Sequence, residues 1–127
     1  QIVKIKPTGL DYSLFEEEGK NSLAYIIPRL HDIILGGTIQ DNNWSLEVDE
    51  NDTKDILRRC GALFPEFSNP EILETRVGLR PSRPEIRLEI EKYSDNYVIH
   101  NYRHGGGGFT LSWGCAEDAA ELVASLY

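Results

Sequence analysis

Four consecutive glycines, Gly105 to Gly108, follow the apolar pair Val98-Ile99 and the stretch His100-Asn101-Tyr102-Arg103-His104, and open into Phe109-Thr110-Leu111. Glycine has no Cβ, so the backbone there can approach a ligand closely, and the first N–H groups of a helix point outward without partners. A strand, a glycine turn and a helix start, in that order, make a cradle for a group that is negative or becomes negative. Turns of this composition serve many ligands and some serve none, so the stretch defines only a class of chemistry. Two side chains could act with it. Arg80 stands in an extended segment stiffened by Pro81 and Pro84, where a guanidinium can grip a carboxylate through two parallel bonds. A structural ion pair with one of the many acidic residues is the alternative. Tyr25, near one end of a strand pattern, can add a third bond through its hydroxyl; a tyrosine at the edge of the core is the alternative.

The usual catalytic constellations are missing. There is no nucleophile elbow, no histidine pair at metal spacing and no Walker loop. No Asp or Glu sits in an apolar setting that would raise its pKa for acid–base work. No catalytic acid or base and no metal ligand is therefore assigned.

These binders need elements to hold them. A strand is expected from Ile2 to Lys6, stopped by Pro7, followed by a solvated acidic loop over residues 11–20 with Glu16-Glu17-Glu18 as an exposed face. Leu23-Ala24-Tyr25-Ile26-Ile27, ended by Pro28, and Ile33-Ile34-Leu35, closed by Gly36-Gly37, form a hairpin. A helix follows over about residues 52–64, capped by Asp52 or Thr53, with Ile56, Leu57, Cys60 and Leu63 on one face. Residues 75–84 are extended. Ile86, Leu88 and Ile90 alternate with Glu85, Arg87, Glu89 and Glu91 as a half-buried strand, and Tyr93-Ser94-Asp95-Asn96 turns it back into residues 97–102. The closing helix spans about residues 110–126 and buries Ala116, Ala119, Ala120, Val123 and Leu126. The class is α+β: a mostly antiparallel sheet plus a terminal strand, glycine loop and helix. No linker is long enough to divide the chain.

A chain of 127 residues can bury a real core. Its net charge of −8 and pI near 4.8 argue against nucleic acid or an anionic membrane as partner, because both call for a basic face. No apolar run approaches the length of about 20 residues that a membrane span needs. Cys60 and Cys115 lie too far apart for a metal pair or a disulfide framework and read as buried apolar residues in a reducing compartment. The chain has no methionine and starts at once in a strand pattern, which points to a piece of something longer.

Three segments together resemble one family. Val98 to Ala116 is similar to the signature near the C-terminus of the D-amino-acid oxidase and D-aspartate oxidase family: a histidine, Asn-Tyr, a cluster of small residues, then Gly-x-Ala. Val77-Gly78-Leu79-Arg80-Pro81-Ser82-Arg83-Pro84-Glu85-Ile86-Arg87 resembles that family's substrate-arginine segment. Tyr25-Ile26-Ile27-Pro28, followed by Leu35-Gly36-Gly37-Thr38, resembles its substrate-tyrosine hairpin. The order and spacing match, and the resemblance covers essentially the whole chain.

The resemblance implies FAD as cofactor and D-amino acid and O₂ as substrates, with hydride transfer to the flavin giving a 2-oxo acid, ammonia and hydrogen peroxide. It implies that Arg80 clamps the substrate carboxylate, that Tyr25 hydrogen-bonds it, and that the Gly106 carbonyl accepts from the amine. Gly105, Gly108, Phe109 and Thr110 would line the isoalloxazine ring. The family's Gly-x-Gly-x-x-Gly unit for the FAD pyrophosphate is missing, so the chain looks like a C-terminal part that needs an N-terminal half. Residues 1–84 would be part of the substrate domain and residues 85–127 part of the flavin domain. A cytoplasmic location is expected, or a peroxisomal one if the source is eukaryotic, and a homodimer stays open.

Three positions depart from the pattern. Arg103 replaces a glycine, Asn21 replaces a lid tyrosine, and Ile39 stands where D-aspartate oxidases place an arginine. The last favours neutral or apolar substrates, and Arg103, whose guanidinium could instead reach the pocket or a nearby carboxylate, is the one residue that could overturn this preference. The alternatives are a D-aspartate or glycine oxidase of the same family and a non-catalytic module for packing or dimerisation without FAD.

Overall fold

β-Branched residues are concentrated in the first strand of the five-stranded sheet, and the pairing of its strands is antiparallel throughout. The computed structural model describes residues 1–18 and 23–127. In chain order the elements are β1 (Ile2–Ile5), β2 (Leu14–Glu16), β3 (Ala24–Pro28), β4 (Ile33–Gly36), α1 (Glu50–Leu63), a 3-10 turn (Pro65–Ser68), β5 (Ile72–Arg76), β6 (Ser82–Tyr93), β7 (Asn96–His104) and α2 (Gly108–Ala124). The class is α+β, as expected. The chain separates into two units, Gln1–Leu79 and Arg80–Tyr127. No separate linker divides them, and the division falls inside the extended proline-braced segment.

The first unit is a five-stranded sheet in the order β2-β3-β4-β1-β5. Val3, Ile5, Ala24, Ile26, Ile33 and Leu35 meet Ile56 and Cys60 of α1 and Phe67 of the 3-10 turn in one buried cluster. The apolar stripe of α1 drives this docking, at about 1.5–3 kcal/mol for each large side chain fully removed from water. Leu57 and Leu63 are half-buried at its margin. The helix starts earlier than expected, capped by Asp49 in place of Asp52 or Thr53. The Asp49 side chain accepts from the N–H groups of Asn51 (2.6 Å) and Asp52 (3.2 Å). The Gln1 side chain fixes that cap by accepting from Asp49 N–H (2.9 Å) and donating to the Asp49 carbonyl (2.9 Å) and Thr53 hydroxyl (2.8 Å).

The acidic loop is also corrected. It contains the edge strand β2, which pairs Phe15 with Tyr25 and Glu16 with Ala24, so Glu16 is half-buried while Glu17 and Glu18 are exposed. Three residues of strand between polar neighbours carry too short an alternation to register in sequence. Asn21 lies outside the described residues.

The second unit is the β6–β7 hairpin with α2 on one face. Its register runs from Tyr93↔Asn96 to Arg87↔Tyr102 and, after an irregularity, Ser82↔His104. The turn places Ser94 at φ +54°. α2 begins two residues earlier than expected, and its packed face overlaps the expected one only at Ala119 and Leu126. Cys115, Ala119, Leu122 and the following Leu126 are half-buried, whereas Ala116, Ala120 and Val123 are exposed. Cys115 is thus half-buried, unlike Cys60. The Asn101 side chain anchors this face by donating to the Cys115 carbonyl (3.3 Å). Because α2 is apolar around most of its circumference, composition alone did not select the packed side.

Candidate functional site

Tyr25 sits on β3 directly across from Gly36, and its ring lies over the Gly36-Gly37 backbone. A Cβ on Gly36 would come within 2.0 Å of the ring's Cζ, and one on Gly37 within 2.8 Å of the hydroxyl oxygen. Two glycines here are therefore a packing requirement of the tyrosine. The Phe15 ring flanks Tyr25 from β2 with 6.2 Å between centroids.

Sequence reasoning missed what holds this hairpin end. Arg59 is only 7% exposed. Its Nε donates to Asp55 Oδ2 (2.8 Å), Nη1 to the Leu23 carbonyl (2.6 Å) and Nη2 to the Gly37 carbonyl (2.6 Å). The Gly37 N–H also donates to the Leu23 carbonyl at 3.0 Å. Beside it, Cys60 Sγ lies 3.5 Å from the Tyr25 carbonyl and 3.7 Å from that of Gly36. Burial pushes the Cys60 thiol up to about 11. Arg58 first, and Arg59 with it, hold the Asp55 carboxyl below its ordinary value. The available signal was a charged residue inside the apolar stripe, four residues after an aspartate.

In the second unit, Arg80 and the glycine turn come together. A Cβ on Gly106 would lie 3.4 Å from Arg80 Nε, which places the arginine side chain beside the turn. Gly105 takes φ +57°, and its N–H donates to the Pro81 carbonyl at 3.0 Å. The Gly107 N–H donates to the His104 carbonyl (2.9 Å), and Gly107 then serves as N-cap of α2, its own carbonyl accepting from Leu111 N–H at 2.9 Å.

Among the described residues no side chain caps α2, so Gly108, Phe109 and Thr110 begin a helix whose first N–H groups have no intrahelical acceptor. Phe109 is 95% exposed. In the same turn His104 Nε2 is buried with no hydrogen-bond partner among the described residues.

Arg103 adopts φ +67°, the left-handed region in which glycine is favoured, with its guanidinium carbon 5.9 Å from the Tyr102 ring centroid. The Tyr102 hydroxyl accepts from Arg87 Nη1 (2.9 Å), and Arg87 also donates to Glu89 (2.6 Å) and Glu91 (2.5 Å). His100 Nε2 lies 2.9 Å from Glu91. This network stiffens the strand that leads into the turn, and Arg87 followed by His100 holds the Glu91 carboxyl below its usual range.

The structure therefore gathers Arg80, Gly105, Gly106, Gly108, Phe109 and Thr110 within one unit and places Tyr25, braced by Gly36 and Gly37, in the other. One unit is thus an antiparallel sheet with a tyrosine ring over a glycine pair, and the other carries an arginine beside a glycine turn that opens a helix. The fold is shared with the crystal structure of glycine oxidase from Bacillus cereus, at a TM-score of 0.78 and 21% identity, over 98% of this chain and 34% of that one.

The chain belongs to the FAD dependent oxidoreductase family, whose profile matches residues 1–122. It is 48% identical over 126 residues to a D-amino-acid oxidase of Rubrobacter xylanophilus, covering 98% of this chain and 39% of the relative. Identity to a D-amino-acid oxidase of Dictyostelium discoideum is 46% over 127 residues, covering 97% of this chain and 36% of that one. The human D-aspartate oxidase is 35% identical over 98% of this chain and 37% of its own length. The chain thus spans well under half the length of these relatives. The turn's residues fit the family's cofactor: a helix start with no side-chain cap, a glycine at φ +57°, and a buried His104 ring nitrogen with no partner among the described residues suit a group rich in acceptors.

Proposed function

We propose that this chain supplies the substrate-carboxylate binders and the flavin-facing turn of an FAD-dependent D-amino-acid oxidase acting on neutral D-amino acids. In this reading residues 1–84 belong to the substrate domain and residues 85–127 to the flavin domain. The chemistry that FAD supplies when bound is acceptance of the hydride from the substrate Cα and delivery of electrons to O₂, giving hydrogen peroxide. Arg80 grips the substrate carboxylate through two parallel charge-assisted bonds, and the Tyr25 hydroxyl donates a third. The Gly106 carbonyl accepts from the substrate amine. These contacts fix the Cα for transfer, so no side-chain base is needed at that carbon. Gly105, Gly108, Phe109 and Thr110 line the ring, and the N–H groups at the start of α2 stabilise negative charge that develops there during reduction. The imino acid released then hydrolyses to the 2-oxo acid and ammonia.

The observation that carries this reading is the approach of the Arg80 side chain to Gly106, in the glycine turn that opens α2. Ile39, an exposed apolar residue just beyond Thr38, supports neutral over acidic substrates, since an acidic side chain beside it would find no counter-charge. The remainder of the protein covers the apolar face of α2 that carries Phe109, Trp113 and Val123. The test is hydrogen peroxide release from the full-length protein with D-alanine, D-proline and D-aspartate. Turnover of the first two above the third is expected. No turnover by a protein shown to hold FAD overturns the reading, and higher kcat/KM on D-aspartate overturns the preference. A flavin absorbance spectrum of the 127-residue chain, alone and with the rest of the protein, addresses the alternative of a module that holds no FAD: colourless, oligomeric protein in both samples favours it.

A further inference from the structure

We propose that Arg59 is a positioning residue for Tyr25, setting the hairpin end on which the tyrosine ring rests. The inference rests on the reading of Tyr25 as a carboxylate binder. Three observations carry it. First, one buried guanidinium spans the mouth of the β3–β4 hairpin, taking the Leu23 carbonyl from one side and the Gly37 carbonyl from the other, both at 2.6 Å. Second, Leu23 and Gly37 are themselves joined by the Gly37 N–H bond of 3.0 Å, beside the Tyr25↔Gly36 pair. Third, the Tyr25 ring has no room to shift toward the backbone beneath it, because only hydrogen-bearing glycine Cα atoms fit under it. Widening the mouth therefore moves the surface that seats the ring. The Asp55 carboxylate holds the third edge of the guanidinium at 2.8 Å, four residues earlier on the same helix, which ties the hairpin mouth to α1.

A planar fork is needed for this. It reaches two carbonyls and a carboxylate at once, whereas a lysine ammonium is a single point on a flexible stem. Leu23, at φ +61°, presents its carbonyl from a left-handed backbone that the bond to Arg59 helps to hold. The residue touches neither substrate nor flavin in the proposed reading and acts through the tyrosine.

The test uses the full-length protein with D-alanine and compares wild type, Tyr25→Phe, Arg59→Lys and Arg59→Met. Amide hydrogen exchange at Gly37 reports the hairpin mouth directly, and exchange at the β1 amides serves as the internal reference. The expected result is a Gly37 exchange rate at least about tenfold faster in Arg59→Lys, with β1 unchanged. KM is expected to rise about tenfold with kcat within about threefold, matching Tyr25→Phe in kind. Arg59→Lys is the main arm because it keeps the charge and the fold. If Arg59→Met fails to fold, the lysine variant still decides. Unchanged Gly37 exchange in Arg59→Lys overturns the proposal, as does faster exchange with unchanged KM while Tyr25→Phe raises KM. If Tyr25→Phe leaves KM at the wild-type value, the reading of Tyr25 falls, and with it the assignment of Arg59 to substrate binding.

Discussion

Arg103 is the residue at which a local rule is broken most plainly. A left-handed backbone costs a side-chain-bearing residue about 1–2 kcal/mol, and glycine escapes that cost at the expense of a more flexible unfolded chain. Arg103→Gly is therefore expected to raise stability by about 1 kcal/mol in urea denaturation, less whatever the stacking on Tyr102 contributes. A loss of stability would show that the stacking outweighs the strain. Arg80 supports the opposite kind of expectation. Arg80→Ala removes charge-assisted bonds of about 1.5–3 kcal/mol each, so KM for a D-amino acid should rise roughly ten- to a hundredfold in the full-length protein. Unchanged KM removes Arg80 from the site. Both positions were legible in sequence, Arg80 by its proline-braced setting and Arg103 by its departure from a glycine pattern. Arg59 was not, because its role depends on two carbonyls of a hairpin 22 and 36 residues away, and carbonyl positions leave no trace in side-chain types.

At the scale of elements, the β3–β4 hairpin was readable because its runs are strongly β-branched and punctuated by Pro28 and Gly36-Gly37. The reason for those glycines was not readable. Gly36→Ala drives a methyl into the Tyr25 ring at 2.0 Å, so the ring or the strand must shift. Overpacking of this kind costs about 1–3 kcal/mol. The expected outcome is a lower midpoint in urea together with altered near-ultraviolet circular dichroism. An unaltered midpoint would mean that the ring swings away freely. α1 carries a pH dependence whose sign follows from Asp55. Arg58 and Arg59 lower its carboxyl in the folded state, so this stabilisation is present above the ordinary carboxylate range near 4 and is lost as pH falls below it. Thermal stability of the wild type should therefore fall more between pH 5 and pH 3 than that of Asp55→Asn, by roughly the range over which such a group titrates. Equal falls would assign the acid sensitivity to other carboxylates. The start of α1 was misplaced by sequence because Asp49, Asp52 and Thr53 are all competent caps. The choice is made by Gln1, which reaches Asp49 from the first strand.

At the scale of the molecule, α2 is the element whose packed side was least legible in sequence. Its sequence offers two apolar stripes, and of the residues expected to be buried Ala119 and Leu126 are half-buried while Ala116, Ala120 and Val123 stay open. Trp113 is 87% exposed, and Phe109 and Val123 lie on the same side at helical spacing. Apolar surface of that kind on one helix face marks an interface. The relatives are more than twice as long as this chain, so the occupant proposed for this face is a segment of the kind that makes up the rest of their length. Trp44 and Trp113 are the two tryptophans, so Trp44→Phe leaves Trp113 as sole emitter. In the 127-residue chain its fluorescence should be that of a hydrated indole. Adding the rest of the protein as a separate polypeptide should shift the emission to shorter wavelength as the ring leaves water. Trp113→Lys should abolish co-elution of the two pieces on gel filtration while leaving the β1 amides of the first unit protected from exchange, since Trp113 lies outside that unit. An unshifted emission from pieces that do co-elute would place the interface elsewhere, and the open stripe of α2 would then face a second copy of the chain, visible as a dimer whose dissociation follows Trp113→Lys.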